Sequence, residues 1–90
     1  MEEDEHIRLA MTEEVRRRID DRRILENDIR QVIHQAEETG KRLQNADTGH
    51  FLAYLQSGNV TFWVEYSPAG NGFAVHNAYC HRMQIAGIKQ

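Results

Sequence analysis

Apolar side chains recur at every fourth position early in this chain and at every second position late in it, and the change of period divides it into two kinds of structure. Ile7, Met11, Val15 and Ile19 form a thin, slowly drifting stripe. Thr12 is placed to cap a helix whose first turn carries Glu13 and Glu14, favourable at the positive end of the dipole. A helix is predicted from about residue 12 to 20, and Asp20–Arg23 either ends it or continues it. The second helix has the clearer signal. Ile29, Val32, Ile33 and Ala36 fall at i, i+3, i+4 and i+7, with Leu25 one turn earlier and Glu26 and Asp28 in the first turn. Gly40 supplies the left-handed stop, with Lys41 and Arg42 near the negative end. Residues 44–50 are turn-forming and mark the junction.

Beyond that junction the period drops to two. Phe51–Gln56 reads as a short strand and Ser57-Gly58-Asn59 as a turn. Val60, Phe62, Val64 and Tyr66 alternate with Thr61, Trp63 and Glu65 on a second strand. Residues 67–72 read as a loop, and Phe73 to about Arg82 as the third strand. Short connections make neighbouring strands antiparallel. The predicted fold class is α+β, with two N-terminal helices packed on one face of a three-stranded antiparallel β-meander. Residues 1–10 are expected to be an acidic, frayed N-terminus, 11–85 a single domain and 86–90 a tail.

Composition sharpens this division. All seven aromatic residues lie between Phe51 and Tyr79, and twelve of the fourteen acidic ones precede residue 46, so the charge belongs to the helices and the bulky apolar area to the sheet. The net charge is −3. The densest basic runs, Arg16-Arg17-Arg18 and Arg22-Arg23, are interleaved with Glu13, Glu14, Asp20 and Asp21; mixed-sign runs of this kind are solvated helix faces rather than a nucleic-acid groove. Cys80 is the single cysteine, which rules out an internal disulfide and points to a reducing compartment, the cytoplasm being the simplest. The acidic N-terminus lacks the features of a secretory signal, and no segment approaches the roughly 20 apolar residues that span a bilayer.

A count of layers carries the functional expectation. Two helices cover one face of a sheet, which leaves the other to water, a second copy or a partner. If Val60, Phe62 and Val64 face the helices, Trp63 points away, and an indole on an open face calls for a cover. Trp63, Tyr54, Glu65 and His76 are therefore the candidate partner-binding residues, Trp63 foremost because aromatic area is what interfaces favour. Glu65, the one acidic residue among the strands, is placed to form a cross-strand pair with His76.

His76, Cys80 and His81 invite a metal reading. On a straight strand, however, His76 and Cys80 are roughly 13 Å apart, while Cys80 and His81 point to opposite faces. A site shared across a dimer or with a partner protein stays open, and no cofactor is predicted. A Cys80 nucleophile with a histidine base and Glu65 is a third, weaker arrangement. Gly70 and Gly72 lie between strands rather than before a helix, so they do not form a phosphate loop.

The stretches Val60-Thr61-Phe62-Trp63-Val64-Glu65-Tyr66 and His76-Asn77-Ala78-Tyr79-Cys80-His81-Arg82-Met83, with Ile24-Leu25-Glu26-Asn27-Asp28-Ile29 before them, resemble a small uncharacterised family of anaerobic bacteria. The similarity covers about residues 24–83. It implies an accessory module beside iron–sulfur and flavin oxidoreductases, without a cluster of its own because cluster-binding cysteine spacing is absent. The functional expectation is a non-catalytic interaction or accessory module that binds a protein partner or a second copy through the face around Trp63. The alternative is a small-ligand or metal-binding domain using His76, Cys80 and His81.

Overall fold

A computed structural model describes residues 7–82. The elements run in the order β1 (Leu9–Ala10), α1 (Glu13–Asp21), α2 (Glu26–Thr39), β2 (Leu43–Gln44), β3 (Phe51–Ser57), β4 (Val60–Ala69) and β5 (Gly72–Arg82). The fold is α+β. Residues 1–6 of the predicted N-terminal stretch and the predicted 86–90 tail lie outside the described residues.

The helices follow their local chemistry. Thr12 Oγ1 accepts the Val15 N–H at 3.1 Å and starts α1. Arg22 caps its end, and Arg23 takes a left-handed φ of 59° that turns the chain so that Ile24 is buried. Asp28 Oδ2 accepts the Leu25 N–H at the start of α2. Gly40, at φ 76°, ends that helix and donates its N–H to the Ala36 carbonyl. Ile7 and Met11, predicted to share the stripe of the first helix, precede it in extended chain, yet both still pack against the core.

The sheet corrects the predicted three-stranded meander. It has five strands in the order β1-β5-β4-β3-β2, with β1 parallel to β5 and the other pairs antiparallel. Both extra strands are two residues long, too short for any alternation to reveal them. β1 is recruited because Gly72 has no side chain. A Cβ there would lie 2.6 Å from Arg8 Cβ and overlap its carbonyl oxygen, which accepts the Phe73 N–H at 2.8 Å.

The expected loop at 67–72 is also corrected. β4 continues through Ala69 and turns on Gly70-Asn71 alone, with Gly70 at φ 58°. Pro68 is tolerated because β3 begins opposite Tyr66, so β4 has a strand on only one side at that point.

The core lies between the helices and one sheet face. Ile29, Val32 and Ile33 of α2 are fully buried against Ala53, Val64, Tyr66, Val75 and Ala78. The Tyr66 hydroxyl leaves the core at its rim and donates to Glu37 at 2.8 Å. Burial, reinforced by that carboxylate, raises its pKa well above the usual tyrosine value. Arg42 completes the rim, pairing with Glu37 at 2.6 Å and lying over the Phe51 ring at 4.0 Å.

Candidate functional site

A register shift shapes the second sheet face. Glu65 pairs with Asn77 and Tyr66 with Val75, so His76 is an extra residue in β5. Strict alternation would send Val75 and Ala78 to opposite faces, but the bulge turns both into the core. It thereby sets His76 and Tyr79 on the face away from the helices. Trp63 shares that face, since its neighbours Val64 and Phe62 are directed to the core.

Three aromatic rings form a row across the strands. Tyr54 pairs with Trp63 and Trp63 with Tyr79; the ring centroids are 4.9 and 6.2 Å apart, both in stacked arrangement. Trp63 is half-buried between its neighbours, whereas Tyr54 is 60% and Tyr79 38% exposed. The next row along the strands is Leu43, Leu52, Glu65 and Asn77, and Leu43 is 68% exposed.

Beyond that row lies a polar group. The rings of His50 and His76 stack face to face, 3.7 Å apart and 3° from parallel. His50 Nδ1 is 2.9 Å from Glu65 Oε2, within hydrogen-bond distance. His76 Nε2 lies 2.8 Å from Ser67 Oγ. Partial burial lowers the His76 pKa below the usual 6.5; the neighbouring His50 acts in the same direction and Glu65 opposes both.

Behind the bulge, the β5 edge beyond β1 is covered from α1. Arg22 donates to the Ala78 carbonyl at 2.7 Å and to Asn77 Oδ1 at 3.2 Å. A concavity of about 350 Å³ opens between β2 with its following turn and the sheet, lined in part by Leu43, Asn45, His50, Leu52, Glu65 and Tyr79.

Of the residues proposed from sequence, Trp63, Tyr54, Glu65 and His76 lie together on this face. The Glu65–His76 pair is corrected in detail: the carboxylate bonds His50, and His76 bonds Ser67. Cys80 and His81 are exposed near the far end of β5, opposite Phe62 and Thr61, and they do not converge with His76. Among the described residues no group of three His, Cys, Asp or Glu side chains is arranged to hold a metal ion.

Sequence reasoning did not bring His50 or Ser67 into the site. His50 carries the parity of Leu52 and Tyr54, a usable signal. Ser67 was concealed by the proline and glycines that read as a loop. No helix among the described residues is long and apolar enough to cross a membrane. Comparison of the chain with protein-family models, curated proteins and solved structures found no match, so the family resemblance rests on its own residues.

Proposed function

We propose that the chain is a non-catalytic interaction module whose open sheet face packs against a second copy of itself. The carrying observation is the Tyr54–Trp63–Tyr79 row, held on the side of the sheet that the described residues leave uncovered, the other side being occupied by two helices. Exposed aromatic area of this kind is what the centres of protein interfaces use, and sheets pack face to face at about 10 Å.

The charge pattern selects the occupant. Along β3, β4 and β5 the open face carries Leu52, Tyr54, Gln56, Thr61, Trp63, Glu65, Ser67, His76, Asn77, Tyr79 and His81, with neither lysine nor arginine. The single carboxylate is already bonded to His50. Such a face meets its own copy about a two-fold axis without like-charge repulsion. A redox enzyme as a further neighbour is suggested by the family resemblance alone.

Sedimentation velocity over a range of protein concentrations tests this reading. The wild type is expected to move toward twice the monomer mass, while Trp63→Ala and Tyr54→Glu stay monomeric. Tyr54→Glu adds a carboxylate at a largely exposed position, so its fold is retained. A wild type that is monomeric throughout, or dimers untouched by both changes, would overturn the proposal.

A further inference from the structure

We propose that the open edge of β3 takes up an extended acidic segment of a partner protein as an additional strand. The turn at Gly58-Asn59 closes on the Ser57–Val60 pair, and alternation from that pair fixes which way each main-chain group points. Ala53, Leu55 and Ser57 turn theirs to β4, whereas Leu52, Tyr54 and Gln56 turn theirs outward. Leu52 meets Leu43 of β2, and β2 reaches no further. The N–H and C=O groups of Tyr54 and Gln56 therefore have no hydrogen-bond partner among the described residues.

The β5 edge, by contrast, is occupied where it passes β1 and α1. β1 covers Phe73 and Ala74, and beyond it the Ala78 N–H donates to Asn77 Oδ1 at 3.0 Å while the Ala78 carbonyl accepts from Arg22 at 2.7 Å. β3 carries none of the devices that blunt an exposed edge, since Phe51–Ser57 has no charged residue, proline or bulge. Edges of this kind receive extended peptides through main-chain hydrogen bonds.

The space beside the edge is shaped for such a strand. Two concavities of about 310 and 190 Å³ share Lys41 and Tyr54 and lie between β3 and the end of α2 with its following segment. A strand placed there bonds Tyr54 and Gln56 and sets the residue between them against Leu55. Charge selects its character. The combined lining holds Lys41 and Arg42 and no aspartate or glutamate. Arg42 is paired with Glu37, whereas the Lys41 ammonium group has no ion pair or hydrogen bond among the described residues. A carboxylate on the incoming strand supplies that partner, and a lysine or arginine there meets repulsion. The β3 of a second copy is uncharged, so pairing edge to edge would leave Lys41 unanswered. The contact uses the main chain of Tyr54 rather than its ring and is independent of self-docking through the aromatic row.

Amide NMR shifts and hydrogen exchange test the edge, with acetyl-Val-Glu-Val-Glu-Val-amide as the probe and the same peptide carrying lysine for glutamate as the comparison. The acidic peptide is expected to give saturable shifts at Lys41, Tyr54, Leu55 and Gln56 and to protect the Tyr54 and Gln56 amides from exchange. The lysine peptide is expected to bind about fivefold more weakly, through an attraction lost and a repulsion gained, and Lys41→Glu to reverse that order. Gln56→Pro, which removes an outward N–H and spares the ladder to β4, is expected to abolish binding, and Gln56→Ala to keep it. The comparison of the two peptides uses the wild type alone and stands even if a variant does not fold. Absence of saturable shifts on this edge, equal binding of the two peptides, undiminished binding by folded Gln56→Pro, or protection of both amides by a second copy before peptide is added would overturn the proposal.

Discussion

Gly72→Ala isolates the contact that joins the N-terminal strand to the sheet. The φ of Gly72 lies outside the left-handed region, so alanine is acceptable to the backbone itself and the penalty arises from what the methyl meets. That methyl would lie 2.6 Å from Arg8 Cβ and 3.0 Å from the Arg8 carbonyl carbon, whereas carbon atoms rest at about 3.5–4.0 Å. The near neighbours are mostly backbone and cannot rotate aside. β1 must therefore retreat by roughly 1 Å. Such a shift lengthens the 2.8 Å bond from the Phe73 N–H to the Arg8 carbonyl beyond hydrogen-bonding range. It also strains the 2.9 Å bond from Arg30 Nε to the Ile7 carbonyl and loosens Ile7 and Leu9 from the core. Overpacking of this sort costs about 1–3 kcal/mol, with the lower values expected if β1 peels away cleanly. Urea unfolding gives the stability loss, and hydrogen exchange locates it. The Phe73 amide should lose protection while Val64 and Ala78 keep theirs, and self-association should be unchanged because the aromatic row is untouched. A loss under about 0.5 kcal/mol, the range of neutral surface changes, together with a protected Phe73 amide, would refute the packing argument.

Three further outcomes follow from burial and bonding. Ile33→Ala, at a side chain with no exposure, should cost about 2–5 kcal/mol, whereas Leu25→Ala, at 65% exposure, should stay within about 0.5 kcal/mol; urea midpoints distinguish them. Tyr66→Phe removes the hydroxyl bonded to Glu37 and should lose about 0.5–1.5 kcal/mol in the same assay, with Arg42 still holding the carboxylate. The His76 pKa is lower in the folded chain than the ordinary 6.5. The unfolded chain thus binds more protons in that window, and this group's contribution, complete above 6.5, is lost as pH falls below it. Stability measured from pH 8 to pH 5 should drop more in the wild type than in His76→Gln; equal slopes would remove this role.

Much of the fold was legible where one periodicity ran long enough to be read. Phe62, Val64 and Tyr66 against Trp63 and Glu65 gave both faces of β4, and Ile29, Val32, Ile33 and Ala36 gave α2 with its stop at Gly40. The count of layers that followed placed Trp63 on the side away from the helices. The two-residue strands were not legible, because Leu9–Ala10 is held by a partner far along the chain and Leu43–Gln44, though paired with the next strand, is too short to carry a pattern of its own. Pro68 and the nearby glycines read as a loop because the absence of a neighbouring strand at that level is a tertiary fact. The bulge at His76 was equally hidden, since one extra residue exchanges the faces of all that follow it. For that reason the pairing of His76 with Ser67, and the stack on His50, are visible only in the folded chain.

The central claim is that the uncovered side of the sheet is a self-docking surface, and isotope-filtered NMR on a mixture of differently labelled copies tests it most directly. Contacts between copies are predicted among the Tyr54, Trp63 and Tyr79 rings, with none from the outward residues of the helices such as Arg17 or Asn27. Contacts confined to the helical side, or a spectrum without any contact between copies at concentrations where the chain associates, would contradict it.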